Sequence, residues 1–488
     1  MDTVLQKHLG RKAIPEEEKK KGYKVYLTQK QQDEIDHYGV GGSFSERCAY
    51  LLLHEINRQK EEEAKTIRFI DLFAGLGGIR IGFEKGLKKQ GLNAKCVFTS
   101  EIKKHAIKVY QNHFGNEKIY GDISHISTEE IPEFDVLLAG FPCQPFSSAG
   151  KGLGFADTRG TLFFEIERIL KDRKESGKPV KAFLLENVEG LVNHDGGKTL
   201  KIIIGRLEDL GYVVNWKVLD SKYFGLAQSR KRIYIVGTLD KLIDLEQFDV
   251  TEATFSNIME KGQPVIKSKF TEALFKNYKP EEVMGKSIKD KRGGEGNIHS
   301  WDIGLKGSTT EEQKKLLNIL LKERRKKKWA TEIGIKWMDG MPLTYDQIKT
   351  FYDSPQLKEM LDDLVKKGYL TYEHPKELIE GERKPDINKP KGYNIVAGKL
   401  SFEFSKILSP DELVPTLVAM DVSKLGVIDG NGIRRLTIRE GQKLCGYDPD
   451  TYDLSLVTEK EAFDLLGNTV CVPVISAISE KIAVGLKE

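Results

Sequence analysis

Short apolar runs alternate with longer amphipathic stretches through the first half of the chain. The runs at residues 67–73, 95–100, 135–139 and 182–185 are mostly apolar and predict strands, while residues 199–210 repeat their apolar positions with helical spacing. Strands of this kind separated by helices are typical of a parallel sheet covered by helices on both faces. The pattern therefore predicts an α/β fold built on a doubly wound, mainly parallel sheet.

The N-terminal segment has a different pattern. Residues 23–28 alternate polar and apolar like a short strand, and residues 29–38 and 47–58 predict two helices. A strand followed by two helices resembles a ribbon-helix-helix DNA-binding module, in which two chains pair their strands in the major groove. The resemblance implies that Lys24 and Tyr26 face the bases and allows a homodimer through this module. A role in packing on the next domain fits the same pattern, so both interpretations stay open.

Composition excludes several classes of protein. The five cysteines are scattered, with no CxxC pair and no histidine cluster at ligand spacing, so neither a disulfide framework nor a metal site is expected. The formal charge of +4 is small for 488 residues and does not by itself indicate a nucleic-acid partner. The longest apolar runs are far shorter than a membrane span and no apolar segment follows Met1, so we expect a cytoplasmic protein.

Residues capable of chemistry directly follow the predicted strands. Cys143 lies in the loop after the strand at 135–139. Glu101, Asp122 and Glu186 follow three other predicted strands, at 95–100, 118–121 and 182–185. Because parallel strands end at the same edge of a sheet, these side chains are expected near one another. A strand-end loop favours the nucleophilic thiolate form of cysteine, although most single cysteines are packing residues.

A glycine-rich turn at residues 74–78 follows the first strand and opens a helix. Its glycines permit a tight turn and a close approach of the backbone to a cofactor. The spacing differs from the GxGxxG fingerprint, which argues against a nicotinamide or flavin coenzyme.

Eight short motifs then occur in order along the chain. They lie at residues 69–78, 121–123, 140–147, 157–164, 186–188, 228–232, 435–440 and 467–470. Together they resemble the ordered motif set of the DNA (cytosine-5) methyltransferases of bacterial restriction-modification systems, over roughly residues 66–240 and 415–488. Eight motifs in one order carry far more weight than any single motif. The resemblance implies the S-adenosylmethionine-dependent methyltransferase fold.

The resemblance also implies a covalent mechanism on a flipped-out cytosine. Carbon 5 of cytosine is a poor nucleophile, so the family adds a cysteine thiolate to carbon 6, and Cys143 matches that cysteine. Glu186 matches the acid that interacts with ring nitrogen 3, and its pKa is expected to be raised in a closed pocket. Arg232 matches the arginine on the cytosine carbonyl, and Arg230 belongs to the same network around the base and phosphate. No metal is required.

The methyl donor implied by the resemblance is S-adenosyl-L-methionine. Its adenine would stack on Phe73, and its ribose would bond to Glu101. The positions that match cofactor contacts are Phe73, Ala74, Gly75, Leu76, Gly77, Glu101, Ile102, Asp122, Ile123, Pro142, Leu162 and Asn468.

Contacts to DNA are expected around the catalytic loop. By resemblance, residues 146–160 form the loop that closes on the flipped base, so Gln144, Ser147 and Arg159 are candidate DNA-binding residues.

A second set of DNA contacts is expected in residues 240–414, which carry no catalytic motif and occupy the position of the family's variable target-recognition region. A predicted helix at 311–328 ends in a basic run, and we expect Arg324 and Arg325 to contact phosphates there. Such runs are more often only solvated.

Further along the same region, residues 344–348, 356–367 and 368–372 read as helix, helix and β-wing. This order resembles a small winged-helix unit. A subdomain that only packs would show the same pattern.

We divide the chain into four parts. They are an N-terminal DNA-binding-like module at 1–65, a catalytic domain at 66–240, a smaller target-recognition domain at 241–460, and a C-terminal segment at 461–488 that returns to the catalytic domain.

The predicted function is transfer of a methyl group to carbon 5 of a cytosine in a specific short sequence of double-stranded DNA. A cognate restriction endonuclease would be its functional partner, because methylation protects the same sequence. One alternative is a tRNA cytosine-5 methyltransferase, which shares the motifs but normally lacks a long recognition insertion. Another is a DNA-binding transcriptional regulator acting through residues 1–65. The residues that read bases, and so the target sequence, do not follow from the pattern.

Overall fold

The computed structural model describes residues 26–115, 117–142, 162–290, 296–379, 382–396, 402–418 and 421–487. The chain divides into two compact units, Met1–Thr66 and Ile67–Glu488.

The first unit contains two helices, α1 (Gln29–Tyr38) and α2 (Phe44–Ala64). Each begins with a capping box, formed by Thr28 and Gln31 for α1 and by Ser43 and Glu46 for α2, which satisfies backbone N–H groups at the helix start. The second helix therefore starts earlier than predicted. Of the predicted strand at 23–28, only residues 26–28 are described, and these form no strand.

The second unit is organised around a six-stranded sheet. Its strands are β1 (Thr66–Leu72), β2 (Asn93–Ser100), β3 (Val136–Gly140), β4 (Ala182–Val188), β5 (Val213–Asp220) and β6 (Lys231–Thr238). They lie in the order β2-β1-β3-β4-β6-β5, with β1, β3 and β4 parallel and β6 antiparallel to both of its neighbours. The predicted doubly wound, mainly parallel sheet is confirmed.

Helices cover both faces of this sheet. They are α3 (Gly78–Lys89), α4 (Lys104–Phe114), α5 (Leu162–Glu175) and α6 (Lys198–Asp209). Phe163 and Ile203 belong to the apolar core on one face, and Phe83 belongs to the core on the other. The predicted strand at 118–121 is wrong, because this segment makes only a single bridge from Tyr120 to Ser100.

The recognition region follows, with helices and short strands. They are α7 (Lys269–Asn277), α8 (Pro280–Val283), β7 (Ser287–Ile288), β8 (Asn297–Ile298), α9 (Glu311–Glu323), α10 (Lys327–Ile333), α11 (Tyr345–Lys349), α12 (Leu357–Lys366), β9 (Leu370–Glu373), β10 (Lys376–Ile379), β11 (Glu382–Pro385), β12 (Gly392–Ile395), β13 (Lys406–Ile407), β14 (Leu425–Asp429) and β15 (Gly432–Arg435). Five of these strands form one sheet, in the order β15-β14-β13-β7-β8.

Residues 301–396, here called the insert, lie between β8 and β13 and have an apolar core of their own. The helices α9 to α12 are followed by the antiparallel pair β9–β12, and Leu343 bridges to Tyr393 of β12. A β10–β11 hairpin lies between the paired strands. Helices followed by a β-wing fit the winged-helix resemblance. The predicted single helix at 311–328 is wrong, since it is broken into α9 and α10.

The chain ends with α13 (Ile438–Cys445), α14 (Glu459–Asn468) and α15 (Val472–Lys487). Helix α15 packs closely on α3, because a Cβ atom at Gly82 would lie 2.5 Å from the Cβ of Ile475. Its side chains share an apolar core with those of β1, as the sequence predicts for the final helix.

By length and composition, one stretch in the described part of the chain, Glu459–Lys487, could cross a membrane. It contains α14, a break and α15, and 61% of the tested window is buried inside the protein. This burial is typical of core helices.

Candidate active site

The ends of β3 and β4 bring the central groups of the site together. Gly140 pairs with Glu186 in register, and the Asn187 side chain donates a hydrogen bond of 2.9 Å to the carbonyl oxygen of Phe141. The backbone that leads to Cys143 is therefore fixed beside Glu186. Cys143 itself lies outside the described residues.

The other loop residues predicted to bind DNA share this position in the chain. Gln144, Ser147 and Arg159, together with the predicted closing loop at 146–160, also lie outside the described residues.

Glu186 is a buried carboxyl group facing an arginine. Its Oε1 lies 3.1 Å from Nε of Arg232, and both side chains are buried. Burial raises the pKa of Glu186, and the nearby positive charges of Arg232 and Arg230 oppose this shift only in part. The carboxyl group can therefore hold a proton at a higher pH than an ordinary glutamate, as the sequence predicts.

Arg232 lies on β6, opposite Val188 of β4, so the antiparallel pairing places it beside Glu186. Burial lowers the pKa of Arg232, with a further contribution from the positive charge of Arg230. The Glu186 carboxyl group and the planar Arg232 guanidinium, a hydrogen-bond donor, therefore lie side by side at the same end of the sheet.

Arg230 has a different environment from the one predicted. Its buried guanidinium donates hydrogen bonds to the carbonyl oxygens of Leu417 at 3.1 Å, Gly467 at 2.9 Å and Thr469 at 2.5 Å. These contacts connect the residue before β6 with the segment at Leu417 and with the end of α14.

A cavity of about 320 Å³ opens beside Arg232. Its lining is mainly polar and includes Val188, Glu189, Gly190, Ser229, Lys231 and Thr416. The cavity therefore adjoins the Glu186–Arg232 pair from the side of the recognition region.

The turn after β1 has an unusual backbone. Phe73 has a φ of 57°, in the left-handed region that few residues other than glycine adopt, and Gly75 and Gly77 have φ values of 54° and 69°. The amide of Gly75 donates a hydrogen bond of 2.7 Å to Oε2 of Glu101. The turn and the end of β2 are thereby fixed to each other.

Glycine is required at the start of α3. A Cβ atom at Gly77 would lie 2.5 Å from the Phe114 ring, and one at Gly78 would lie 2.4 Å from Oη of Tyr447. No other residue fits at these two positions without displacing these neighbours.

The remaining predicted cofactor residues surround this turn. Asp122 is exposed, and its pKa is lowered by hydrogen bonds from Ser124, while Ile123 is buried in the core behind it. Ile102 presents an exposed side chain next to Glu101. Asn468 is exposed and donates to Oδ1 of Asp464 at 3.1 Å.

An ion pair brings Asn468 to the same side of the site. Asp464 lies 3.1 Å from Nζ of Lys103, which follows Glu101 by two residues. The structure thus joins the ends of β1 and β2 with the C-terminal half of α14. Of the other predicted positions, Ala74 and Leu76 are buried in the turn after β1, Pro142 is exposed just after β3, and Leu162 is half-buried at the start of α5.

Comparison with known proteins identifies the family. The profile of the C-5 cytosine-specific DNA methylases matches residues 67–484. The chain belongs to this family.

Related proteins match over nearly their whole length. The Type II methyltransferase M.NlaIV of Neisseria lactamica is 57% identical over 425 residues, which are 86% of this chain and 99% of the relative. M.BanI of Aneurinibacillus aneurinilyticus is 43% identical over 441 residues, 85% of this chain and 95% of the relative. A crystal structure of the S. pombe Dnmt2 methyltransferase covers 86% of this chain and 98% of its own, with 16% identity and a TM-score of 0.47. The predicted membership of the cytosine-5 methyltransferases is confirmed.

The residues at the β1 and β2 ends fit the methyl donor that this family implies. A partly exposed aromatic side chain at Phe73 suits a purine ring, and the Glu101 carboxylate suits ribose hydroxyl groups. The positive φ values of Gly75 and Gly77 let the chain turn tightly directly after β1, beside Phe73 and Glu101. S-adenosylmethionine therefore fits the chemistry of the residues present.

Sequence reasoning gave no role to several buried polar residues behind the site. Gln228 is fully buried, donates a hydrogen bond to the carbonyl oxygen of Leu444 and accepts one from the amide of Leu417. Thr416 donates a hydrogen bond to the carbonyl oxygen of Ser229 at 2.7 Å. The motif at 228–232 marks Gln228 and Ser229 in the sequence, but their hydrogen-bond partners are almost two hundred positions or more later and could not be identified from it.

Proposed function

We propose that this protein transfers a methyl group from S-adenosyl-L-methionine to carbon 5 of a flipped-out cytosine in a specific short sequence of double-stranded DNA. Methylation would protect that sequence from a cognate restriction endonuclease, in the cytoplasm where the DNA of a bacterium lies. The observation that carries the proposal is the buried Glu186–Arg232 pair at 3.1 Å, fixed beside the backbone that leads to Cys143.

Cys143 supplies the nucleophile. Its thiolate adds to carbon 6 of cytosine, and the electron pair of the 5,6 double bond gives carbon 5 enamine character. After carbon 5 has gained a methyl group, a base removes its proton, and the bond between sulfur and carbon 6 breaks to restore the ring. The thiolate is thereby regenerated.

Glu186 supplies a proton or a hydrogen bond to ring nitrogen 3 as negative charge reaches it. Its raised pKa supports this role, because the acid form persists towards neutral pH. Arg232 lies within ion-pair distance of Glu186 and can donate to the neighbouring cytosine carbonyl. Together they stabilise the electron-rich ring that addition of Cys143 produces.

The cofactor residues have separate tasks in this proposal. When bound, S-adenosylmethionine supplies an electrophilic methyl group on a sulfonium. Phe73 holds the adenine, Glu101 the ribose, and the backbone at Gly75 and the side chain of Asn468 the methionine end. Asp122, Ile123, Ile102, Pro142 and Leu162 complete the surroundings of the donor.

We propose the remaining DNA contacts by position. Ser147 and Arg159 belong to the proposed closing loop at 146–160, Gln144 lies just before that loop, and Lys231 lines the cavity beside Arg232. The half-exposed Arg325, paired with Asp339, remains a proposed phosphate contact. Arg324 does not, because its buried guanidinium donates to Oδ1 of Asn394 at 2.5 Å inside the insert.

Bisulfite sequencing tests the proposed function. DNA and tRNA are isolated from cells that express the protein and from cells that do not. We expect protected cytosines at one short DNA sequence and none in tRNA. Protected cytosines in tRNA alone would contradict the proposal and favour the tRNA methyltransferase.

Replacement of Arg230 by lysine is expected to raise the KM for both DNA and S-adenosylmethionine about tenfold, with a smaller change in kcat. Lysine keeps the charge but cannot hold Leu417, Gly467 and Thr469 together, and a hydrogen bond to a charged group contributes about 1.5–3 kcal/mol. Steady-state kinetics measure both constants, with the exposed Arg206→Lys as control. A fall in kcat at unchanged KM would instead place Arg230 on the reacting base.

The N-terminal unit supports a second proposal, a homodimeric DNA-binding module. None of the residues in α1 or α2 is buried. Large apolar side chains in the described part of this unit are exposed, namely Tyr26, Tyr38, Val40, Phe44, Tyr50, Leu52, Leu53 and Ile56. So much exposed apolar surface on so small a unit indicates a missing partner. We propose that the partner is the same unit of a second copy, and that the paired units bind DNA, with Lys24 outside the described residues.

Light scattering after size-exclusion chromatography should show a dimer of the full-length protein. The double variant Leu52→Glu and Leu53→Glu should be monomeric, because it buries charge in the proposed interface. Leu242→Glu changes a similarly exposed apolar residue of the second unit and should leave the dimer intact. A monomeric wild-type protein would contradict this proposal.

A further inference from the structure

The insert carries acidic groups on the helix where a helix-turn-helix unit usually reads DNA. In such units the helix that enters the major groove is the second of the pair, and α12 takes this place directly before the β9–β12 wing. Helix α12 contains three acidic residues, Glu359, Asp362 and Asp363, against two lysines, Lys358 and Lys366.

Both aspartates of α12 are held in the charged form. A hydrogen bond from Lys358 lowers the pKa of Asp362, and one from Lys367 lowers the pKa of Asp363. Because each aspartate is paired with a lysine, this face of α12 carries little net charge and attracts DNA phosphates less than a surface of unpaired cations does.

A different surface of the insert is strongly basic. It is formed by Arg325, Lys326, Lys327, Lys336, Trp337 and Lys389, and is here called the basic ridge. Its members are contiguous, since Nζ of Lys327 lies 5.9 Å from the centre of the Trp337 ring. Lys389 reaches the end of α10, where a Cβ atom at Gly334 would lie 3.4 Å from its Nζ.

Charge is incompletely balanced on the basic ridge. Arg325 pairs with Asp339 at 2.6 Å and Lys326 pairs with Glu323 at 2.5 Å. Lys327, Lys336 and Lys389 form no salt bridge with an acidic residue in the part of the chain that the structure describes. Three ammonium groups therefore remain available to an anionic partner.

The backbone under the basic ridge is rigid. Arg324 turns into the insert and donates to Asn394 and to the carbonyl oxygen of Ile395, which fixes the break between α9 and α10. The half-exposed Trp337 donates from its indole N–H to the carbonyl oxygen of Arg325 at 3.1 Å. The exposed cations are thus presented in a fixed arrangement around an aromatic side chain.

We propose that the basic ridge binds the phosphate backbone of double-stranded DNA beside the target site, and that the insert does not read the groove through α12. The inference rests on the proposed DNA substrate. Lysine ammonium groups suit phosphate oxygens as point charges, and the exposed indole suits the deoxyribose between them.

The test compares two triple variants with the wild-type protein. Lys327→Ala, Lys336→Ala and Lys389→Ala remove the unpaired charges of the basic ridge. Lys315→Ala, Lys349→Ala and Lys366→Ala remove the same charge from exposed positions on α9, α11 and α12. Thermal unfolding checks that both variants fold.

The readout is binding to a fluorescent random-sequence duplex of about 30 base pairs, measured between about 50 and 200 mM salt. Each phosphate contact contributes about 0.9 to the slope of log Kd against log salt. We expect the basic-ridge variant to lose roughly two to three in slope and to bind at least about tenfold more weakly. The matched variant should equal wild type.

An unchanged slope of log Kd against log salt in the basic-ridge variant would overturn the proposal. A larger loss of slope in the matched variant than in the basic-ridge variant would also overturn it and would favour DNA binding by the face formed by α11 and α12. Selective binding of tRNA through the basic ridge would overturn the DNA assignment. Methyl incorporation into unmethylated phage DNA by the wild-type protein is measured separately. Methylation with an unchanged slope would overturn the basic ridge alone, whereas binding without any methylation would contradict the proposed function alone.

Discussion

Replacing Glu186 by glutamine is expected to lower kcat for methyl transfer by roughly two to four orders of magnitude, the usual contribution of a positioned general acid. Glutamine keeps the shape and can still donate a hydrogen bond, but it cannot transfer a proton to ring nitrogen 3. It also removes the charge opposite Arg232 at 3.1 Å. The KM for S-adenosylmethionine should change little, because the proposed donor residues lie at the ends of β1 and β2.

The pH profile separates this role from a structural one. Burial raises the pKa of Glu186, so the active acid form persists above the pH at which an ordinary glutamate ionises, and wild-type kcat should fall as pH rises through that raised pKa. Glu186→Gln should lack this limb. The free energy of unfolding should also fall as pH rises. The contribution of Glu186 is complete below the pKa that this group has in the unfolded chain, and it is lost as pH rises through the higher pKa of the folded protein.

The exposed Glu208 of α6 offers a control, since Glu208→Gln removes a carboxylate far from the strand ends and should keep both the rate and the profile. A Glu186→Gln enzyme that retains kcat within a few-fold of wild type, with the same pH limb, would show that another group supplies the proton.

Replacing Cys143 by serine should abolish methyl transfer, with a loss of at least ~10³-fold. The serine hydroxyl is far less acidic and less nucleophilic than a thiol, so carbon 6 is not attacked and carbon 5 gains no enamine character. Binding of DNA and of S-adenosylmethionine should persist. Transfer of a labelled methyl group to DNA measures the loss, and Cys48→Ser in the N-terminal unit serves as control. A serine variant that still methylates would contradict the assignment.

The sequence predicted the central sheet well because its signals are local. Each strand is an apolar run bounded by polar residues, and the groups with chemistry follow the strands directly. Glu186 could be placed beside the catalytic loop from position alone, since neighbouring parallel strands end at one edge. Its raised pKa followed from the expectation that the pocket is closed.

The errors involve contacts between residues far apart in sequence. Arg324 belongs to a basic run that reads as solvated, yet its partner Asn394 is 70 positions later and draws the side chain inward. The motif assigned Arg230 to the network around the base and phosphate, which stays a prediction, but it gave no sign of the hydrogen bonds to Leu417 and Thr469. The composition of a basic run does not indicate which of its side chains is buried in the core.

The central claim is that the sulfur of Cys143 bonds to carbon 6 of the target cytosine. DNA that carries 5-fluorocytosine tests this most directly. A fluorine replaces the proton that must be removed from carbon 5, so the bond between sulfur and carbon 6 cannot break and the enzyme stays attached. Denaturing electrophoresis and intact mass spectrometry of the reaction with S-adenosylmethionine should show the protein joined to DNA, with Cys143 as the modified residue and no adduct for Cys143→Ser. Absence of an adduct from an enzyme that methylates unsubstituted DNA, or an adduct on another residue, would contradict the account.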